Sequence, residues 1–220
     1  MKLYTSILCP YAHRARITLA EKGLDPEQVE VDPRNKPAEL VALGAFGKVP
    51  VLAIQGRMIS ESAVICEFLD EIFKLSPLMP SEPTQRAEAR MWIRFADTRL
   101  YPHTQQLLYA APAAERPRLV RELQDDLSSM DEFVSRLQGP YWLGERFSLV
   151  DATMLPWFEQ CIVIERYRGF AWPEHLTALR RWYARAAERP SVRAVGQSPE
   201  FYERAYGALI SVPMLTAASK

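Results

Sequence analysis

The sequence has no excess charge of either sign and only three cysteines. Lysine plus arginine number 27 and aspartate plus glutamate also number 27, so the formal net charge is zero. Proteins that bind polyanions usually carry a basic surplus, so nucleic acid is not an expected partner. Cys9, Cys66 and Cys161 are an odd number and lie far apart, which argues against a disulfide framework. In a reducing compartment, a single thiol of this kind can be reactive.

A long hydrophobic run is also missing. No window approaches the roughly 20 apolar residues that cross a membrane. The apolar run near Met1 is too short and too interrupted for a signal peptide. We therefore expect a cytoplasmic protein without membrane contact. A hydrophobic content of 48% together with 17 prolines excludes disorder or a coiled coil as a description of the whole chain.

Strand and helix signals alternate over the first 74 residues. They predict the order β-α-β-α-β-β-α, at residues 2–7, 10–22, 28–31, 37–43, 49–54, 57–59 and 62–73. Residues 75–83 hold three prolines, and no helix continues through them. After this linker every strong signal is helical, at residues 84–108, 116–137, 149–165 and 173–188. The sequence thus predicts a small α/β domain at 1–74 and an all-α domain at 84–220.

Cys9 stands between the first predicted strand and the first predicted helix. Pro10 fixes φ at the first helical position, which places Cys9 at the N-cap. There the unpaired backbone N–H groups and the positive end of the helix dipole face the sulfur. His13, Arg14 and Arg16 add positive charge nearby. All of these favour the thiolate, which is the nucleophilic form.

A redox dithiol would need a second cysteine three residues after Cys9, and that position is Ala12. Cys9 therefore predicts monothiol chemistry, in which an external thiol completes the cycle. The alternative is a buried cysteine that packs as a small hydrophobe. We favour that alternative for Cys66 and Cys161, which lie among apolar residues of predicted helices. No metal site is predicted.

Two further stretches suit a peptide-like ligand. Pro50 is near the start of a predicted strand, where proline is confined to the start, an edge or a bulge. A cis Val49–Pro50 bond would turn the Val49 backbone outward to pair with an extended peptide, whereas an ordinary edge proline explains the residue equally well. Ser62 begins a predicted helix, whose N-terminus can bind a carboxylate, and Glu61 can accept from an amine. Together they suit an α-amino-acid head group, although a plain helix cap also explains Ser62.

These stretches, taken in order, resemble the cytosolic glutathione transferases, in particular the omega class and its bacterial omega-like relatives. The resemblance covers nearly the whole chain and rests on Cys9-Pro-Tyr-Ala-His-Arg, Arg34-Asn-Lys-Pro37, Phe46-Gly-Lys-Val-Pro-Val51, Glu61-Ser-Ala-Val-Ile-Cys-Glu-Phe-Leu-Asp-Glu71, Phe147-Ser-Leu-Val-Asp-Ala152 and Pro156-Trp-Phe-Glu159. It implies a thioredoxin-like N-terminal domain that carries the glutathione site. It also implies a helical C-terminal domain that supplies most of a second-substrate pocket, and a homodimer.

The resemblance implies roles for five residues in glutathione binding. Lys36 matches the lysine that pairs with the glycine carboxylate of glutathione. Val49, before an expected cis-Pro50, matches the residue whose backbone pairs with the cysteinyl part. Glu61 and Ser62 match the pair that holds the γ-glutamyl end.

Cys9 matches the omega-class cysteine that forms a mixed disulfide with glutathione. Other classes carry an activating tyrosine or serine, and although Tyr4 and Ser6 are nearby, a cysteine occupies the matching position. This shifts the expected activity from aryl conjugation towards reduction and thiol transfer. For the second-substrate pocket, the family topology suggests Tyr11, Trp92, Phe95, Arg99 and Trp172, although the stripe formed by Met91, Trp92 and Phe95 suits a helix core as well.

Three functions are consistent with these residues. The first is a glutathione-dependent thiol transferase or reductase acting on glutathionyl mixed disulfides, dehydroascorbate, or glutathionyl adducts of quinones or aryl ketones. The second is a transferase that conjugates glutathione to electrophiles, for which Cys9 is dispensable. The third is a non-enzymatic regulator, because the bacterial stringent-starvation proteins, which bind RNA polymerase, share a stretch similar to Arg16-Ile-Thr-Leu-Ala-Glu-Lys-Gly23.

Overall fold

The N-terminal part of the chain forms a four-stranded sheet. A computed structural model describes residues 1–211, except for the side chains of Ala110 and Ser211, so residues 212–220 of the predicted helical domain lie outside it. The sheet has the order β2-β1-β3-β4, with strands β1 (Lys2–Thr5), β2 (Glu27–Glu30), β3 (Val51–Ile54) and β4 (Arg57–Ile59). Strand β1 pairs in parallel with β2 and antiparallel with β3, so that Tyr4 lies opposite both Val29 and Val51.

Three helices accompany this sheet: α1 (Pro10–Glu21), α2 (Ala38–Val41) and α3 (Ser62–Ile72). Helix α1 makes the crossover that the parallel pair β1 and β2 requires. It ends before Gly23, whose φ of 64° is readily adopted by glycine. The predicted order of these seven elements is confirmed, with ends shifted by one or two residues.

The two faces of the sheet are buried differently. Leu3 and Leu52 belong to a large apolar core that continues through the helical domain. Tyr4 and Val51 point to the other face, where they pack with Leu40 of α2. Helix α1 lies between the sheet and the helical domain, so its residues from Ala12 to Leu19 are all buried.

The rest of the described chain is helical. Its helices are α4 (Pro83–Phe95), α5 (Tyr101–Gln105), α6 (Arg116–Ser135), α7 (Leu149–Gln160), α8 (Ile162–Arg168), α9 (Thr177–Ala187), α10 (Pro190–Val195) and α11 (Pro199–Ser211), and π-helical segments at Ala96–Leu100 and Gln106–Ala110 flank α5. A thioredoxin-like domain followed by an all-helical domain is the fold that the sequence predicts.

Two predicted helices of the helical part do not continue as regular α-helices over their whole length. The helix predicted at 84–108 changes to wider π-helical turns on both sides of α5, which contains Pro102, a residue without an N–H to donate. The helix predicted at 149–165 is interrupted at Cys161, between α7 and α8. The sequence also did not predict α10 and α11.

One buried lysine fixes the segment between α3 and α4, residues 73–82, which has no helix or strand. The side chain of Lys22 is fully buried, with its Nζ 2.5 Å from Asp70 Oδ1. That ammonium also donates to the carbonyls of Phe73 and Ser76. Asp70 in turn accepts from the backbone N–H of Leu78 at 2.7 Å. Lys22 thus satisfies the carbonyl group of the C-cap residue of α3, Phe73, and that of Ser76 in the segment that follows. The domain boundary at 75–83 stays a prediction.

Candidate functional site

A cavity of about 370 Å³ has Cys9 in its wall, and we name it the Cys9 cavity. One side comes from the thioredoxin-like domain and includes Lys36, Lys48 and Val49. The other side comes from the helical domain and includes aromatic and aliphatic side chains, namely Tyr101, Leu108, Tyr109, Trp157, Tyr206 and Leu209. The cavity therefore spans both domains.

Cys9 is the N-cap residue of α1, as the sequence predicts. Its extended backbone (φ −80°, ψ 114°) leads directly into Pro10 at the first helical position. Its partly buried Sγ lies 3.7 Å from the carbonyl oxygen of Val49, to which the thiol donates. The Val49–Pro50 bond is cis, in agreement with the expectation from the family resemblance.

The structure does not give Cys9 the lowered pKa that the sequence predicts. Burial raises the pKa of the Cys9 thiol, because the charged form loses its hydration. The backbone N–H groups of Ala12 and Tyr11 and the charges of Arg16 and Arg14 act in the opposite direction without overcoming it. Groups that stabilise the thiolate therefore surround Cys9, but the loss of hydration on burial has the larger effect on its pKa.

His13 does not add positive charge near Cys9, contrary to the sequence-based expectation. Its side chain is fully buried, and burial, aided by the charge of Arg16, lowers its pKa to about 3. It is therefore neutral near neutral pH. Its Nε2 lies 3.5 Å from Oε2 of Glu159 on α7, where burial raises the carboxyl pKa to about 8.

Lys36 and Val49 both lie in the wall of the Cys9 cavity. The ammonium of Lys36 donates to the carbonyl of Gly47 at 3.0 Å, which holds the long side chain in place. Lys36 and Lys48 are the charged residues among the described residues that line this cavity. A negatively charged group is thus favoured at this side of the cavity.

Glu61 and Ser62 lie at the N-terminus of α3. Glu61 is exposed and has a φ of 65°, which is uncommon for a residue other than glycine. Ser62 is buried, and its Oγ accepts from Nε and Nη2 of Arg14 at 2.8 and 2.5 Å. The hydroxyl proton of Ser62 consequently remains available for an acceptor such as a carboxylate.

Asp97 is a site residue that sequence reasoning missed, as is its pairing with Arg14. Arg14 Nη2 lies 2.9 Å from Oδ1 of Asp97, in the π-helical segment after α4. The ion pair therefore joins the Ser62 site to the helical domain. A buried arginine requires an acidic partner. No local pattern indicates which carboxylate, some 80 residues away in the chain, fills that role.

Only Tyr11 among the five residues predicted for the second-substrate pocket lines the Cys9 cavity. Trp92 and Phe95 pack against each other, and Trp92 also packs against Phe133 at 4.6 Å between ring centroids, as core residues do. Arg99 pairs with Asp126 at 2.7 Å. Trp172 lines a different cavity. These four residues thus do not line the Cys9 cavity, and their part in a second-substrate pocket, suggested by the family topology, stays a prediction.

The helical side of the Cys9 cavity includes Tyr206 on α11. Its hydroxyl lies 2.7 Å from the carbonyl oxygen of Leu8 and 2.8 Å from Oε1 of Gln160. The contact with Leu8 ties α11 to the loop that precedes Cys9. Since the sequence did not predict α11, it did not identify this residue.

The other two cysteines pack in the core. Cys66 and Cys161 are 3% and 7% exposed. Burial raises the pKa of both thiols, that of Cys161 to about 12. Among the described residues, no group of three or more His, Cys, Asp and Glu side chains is placed to hold a metal ion. Within residues 1–211, no helix combines the length and apolar character needed to cross a membrane.

Comparisons with known proteins agree with this geometry. The N-terminal domain model of the glutathione S-transferases matches residues 8–72, and the C-terminal domain model matches residues 113–185. Glutathione S-transferase 3 of Glycine max is 32% identical over 184 residues, covering 83% of each chain. Human glutathione S-transferase omega-2 is 30% identical over 198 residues, which cover 89% of this chain and 79% of that one. The solved structure of rice GST1 in complex with glutathione is 30% identical, with a TM-score of 0.85 over 95% of both chains.

The fold and the placement of Cys9 define a two-domain protein with a thiol at the entrance to its first helix. The chain belongs to the glutathione S-transferase family and is a glutathione-dependent transferase. This confirms the family resemblance and removes the non-enzymatic regulator from the functions considered.

Proposed function

We propose that the protein is a glutathione-dependent thiol transferase in which Cys9 forms a transient disulfide with glutathione. The observation that most directly supports this proposal is the position of the Cys9 sulfur. It lies in the cavity wall, at the N-terminus of α1 and 3.7 Å from the Val49 carbonyl oxygen. No second cysteine lies within hydrogen-bond reach of it in the described chain, so a thiol from solution must complete the cycle.

The surroundings of Cys9 support a glutathione molecule in extended form. The Lys36 ammonium suits the glycine carboxylate, and the Val49 backbone suits the cysteinyl peptide unit. At the other end, the Ser62 hydroxyl and the N-terminus of α3 suit the γ-glutamyl carboxylate, while the exposed Glu61 carboxylate suits the amine. In this arrangement the glutathione sulfur lies beside Val49, and hence close to Cys9.

The reaction proceeds in two exchanges. The Cys9 thiol first loses its proton to water. The thiolate then attacks the glutathionyl sulfur of a substrate R–S–SG, forms the Cys9–SG disulfide and releases R–S⁻, which takes up a proton. The thiolate of a second glutathione attacks the glutathionyl sulfur of that disulfide. Oxidised glutathione leaves, and the Cys9 thiolate is restored. Tyr11, Ala12, Arg14 and Arg16 stabilise the leaving thiolate of Cys9 in the second step.

The helical side of the cavity favours a neutral apolar group on the substrate. Tyr101, Tyr109 and Trp157 line it, and no acidic side chain is among the described lining residues. A glutathionyl adduct of an aryl ketone or quinone fits this surface better than the hydrophilic dehydroascorbate does. With a ketone adduct, attack on the glutathionyl sulfur expels an enolate, which takes a proton to give the ketone.

Replacement of Cys9 tests this proposal. In Cys9→Ala, reduction of the mixed disulfide between glutathione and 2-mercaptoethanol should fall to the uncatalysed rate, while glutathione affinity measured by calorimetry is kept. The matched control is Cys66→Ala, which removes a buried thiol outside the cavity and should keep turnover. Incubation with oxidised glutathione followed by peptide mass spectrometry should place the adduct on Cys9.

Undiminished turnover of Cys9→Ala would reject the mechanism. A second assay tests for conjugation. If Cys9→Ala loses disulfide reduction as expected but still conjugates glutathione to a chloro-aromatic compound as fast as the wild type, conjugation is an additional activity that uses bound glutathione as its nucleophile.

We also propose that two copies of the chain form a homodimer.

A further inference from the structure

The second π-helical segment, Gln106–Ala110, forms part of the helical wall of the Cys9 cavity. We call it the 106–110 segment. Its cavity-lining side chains are Leu108 and Tyr109. Helix α8 contributes two aliphatic side chains to the same cavity, those of Val163 and Ile164. The shape of this wall therefore depends on how the 106–110 segment is held relative to α8.

The chain that follows the 106–110 segment does not satisfy its last carbonyl groups. The N–H of residue 112 would reach the Leu108 carbonyl in an α-helical turn and the Leu107 carbonyl in a π-helical turn. That residue is Pro112, which has no N–H to donate. The N–H of Ala111 already donates to the Gln106 carbonyl at 2.8 Å, and the backbone is extended from there on. Both leucine carbonyls thus need a donor from elsewhere.

Arg168, the last residue of α8, supplies these donors. Its Nε lies 3.1 Å from the carbonyl oxygen of Leu107 and 3.0 Å from that of Leu108. Its Nη2 lies 2.5 Å from the Leu108 carbonyl oxygen. On its own helix, Nη1 donates to the carbonyl of Tyr167 at 2.9 Å, which fixes the plane of the guanidinium. Because hydrogen bonds from a charged donor are strong, the side chain fastens the end of the 106–110 segment to α8.

The guanidinium of Arg168 acts on the backbone and not on a ligand. The described residues that line the Cys9 cavity do not include Arg168. Within residues 1–211 it has no carboxylate partner, and its donors are directed at main-chain carbonyls. Any effect of Arg168 on a substrate must therefore pass through Leu108 and Tyr109.

We propose that Arg168 is a positioning residue through which the Cys9 cavity selects substrates that carry an apolar aromatic group. By holding the 106–110 segment against α8, it keeps Leu108 and Tyr109 where such a group binds. This role rests on the proposed thiol transfer at Cys9. The glutathione side of the cavity is formed by the other domain, so glutathione binding does not require Arg168.

Two substrates separate the substrate wall from the thiol chemistry. They are the mixed disulfides of glutathione with benzyl mercaptan and with 2-mercaptoethanol. Both leaving groups are alkyl thiols of similar acidity, so the substrates differ mainly in the size and polarity of the group on sulfur. The second exchange, with glutathione, is the same for both. A displaced wall should therefore raise the KM of the benzyl substrate and leave kcat unchanged.

Arg168→Gln should raise the KM of the benzyl substrate by about fivefold or more, as expected when charge-assisted hydrogen bonds that position a binding surface are lost. The KM of the 2-mercaptoethanol substrate should change by less than about twofold. Arg168→Lys keeps the charge and a donor for one of the two carbonyls, so its effect should be smaller. Arg166→Gln is the matched control: Arg166 is exposed on the same helix, has no hydrogen bond or ion pair within the described part of the chain, and should behave as wild type.

A double substitution tests whether Arg168 acts through the wall. Leu108→Ala removes a side chain of the wall and should itself raise the KM of the benzyl substrate. If Arg168 acts by positioning that side chain, Arg168→Gln should add little to the KM of Leu108→Ala. Effects of the two substitutions that multiply would contradict this role.

An unchanged KM of the benzyl substrate in Arg168→Gln would overturn the proposal, as would an equal rise in KM for both substrates. If Arg168→Gln does not fold, by far-ultraviolet circular dichroism, Arg168→Lys decides the same comparison between the two substrates. Failure of the thiol transferase assignment has a different signature, because Cys9→Ala would then keep the reduction of both mixed disulfides.

Discussion

At the scale of single residues, the raised pKa of the Glu159 carboxyl group makes the stability of the protein depend on pH. This carboxyl group faces His13 at 3.5 Å and has Arg16, Tyr183 and Tyr202 around it. Burial raises its pKa from 4.5 to about 8, so the folded protein holds a proton there that the unfolded chain releases. Burial lowers the pKa of the neighbouring His13, because it disfavours the charged form of that side chain too. The pair joins α1, which carries Cys9, to α7.

The raised pKa of Glu159 makes its contribution to stability fall as the pH rises towards mildly alkaline values. Between pH 4.5 and about 8 the folded state binds more protons at Glu159 than the unfolded state does, so the free energy of unfolding decreases as the pH rises. Below pH 6.5 the titration of His13 opposes this decrease, so urea unfolding between pH 6.5 and about 8 should show it in the wild type. In Glu159→Gln, which cannot ionise, the decrease should be smaller.

The loss of stability below pH 6.5 provides a control. His13 is kept neutral by burial, so its stabilising contribution is present above pH 6.5 and is lost as the pH falls towards 3. Glu159→Gln should keep that loss. An identical pH dependence of wild type and Glu159→Gln between pH 4.5 and 8 would show that the carboxyl group is ionised throughout.

The sequence predicted the residues of the candidate site unevenly. Cys9, Lys36 and Val49 lie in short local motifs, and the structure places all three in the cavity wall. Asp97 and Tyr206 depend on how distant helices pack, which a local pattern does not encode. The pKa of Cys9 was also misjudged, since charges near a residue are visible in a sequence and its burial is not.

At the scale of elements, α7 begins with a capping box whose aspartate also accepts hydrogen bonds from other parts of the helical domain. Ser148 Oγ accepts from the N–H of Val150, and Asp151 Oδ2 accepts from the N–H of Ser148 at 2.8 Å. The fully buried Asp151 also accepts from the N–H of Trp142 and from the indole N–H of Trp182. Ser148 and Asp151 both stand in a stretch that carries the family resemblance, but no local pattern predicts the two tryptophan partners.

Asp151→Ala should destabilise the protein strongly. Three buried donors besides the Ser148 hydroxyl would lose their partner, which costs about 3 kcal/mol or more of unfolding free energy. Asp131→Ala is the matched control. Within residues 1–211, Asp131 accepts one bond, from the N–H of Leu179 in the first turn of α9, so its loss should cost about 1 kcal/mol. Urea unfolding curves of the two variants give the comparison. Equal losses of unfolding free energy would show that the several hydrogen bonds of Asp151 stabilise the protein no more than the one of Asp131.

Elements were predicted best where local signals agree. Helix α1 has a proline at its start and a glycine after its end, and both ends were placed within one residue. Helix α11 shows why others were missed. It contains Gly207, which disfavours a helix, and its Tyr202 and Tyr206 are buried by other parts of the fold. Tertiary packing, and not propensity, stabilises such a helix.

At the scale of the molecule, three large apolar side chains of the two domains remain exposed. Phe46 precedes β3, Val64 lies on α3 and Met91 lies on α4, with 59%, 55% and 70% of each residue exposed. Glu67, one turn after Val64, pairs with Arg90 at 2.7 Å and so joins α3 to α4. Apolar side chains that a monomer leaves in water suit a surface covered by a second copy.

The proposed homodimer should therefore depend on α3 and α4. Light scattering of the wild type should give twice the chain mass of 25.2 kDa. Val64→Glu combined with Met91→Glu should give the mass of one chain, because burying two carboxylates in an apolar interface costs more than the interface gains. Leu75→Glu is the matched control: Leu75 is 86% exposed in the segment between α3 and α4, and its replacement should leave the dimer intact. A dimer that survives the double substitution would place the interface elsewhere, and a wild-type mass of one chain would rule the dimer out.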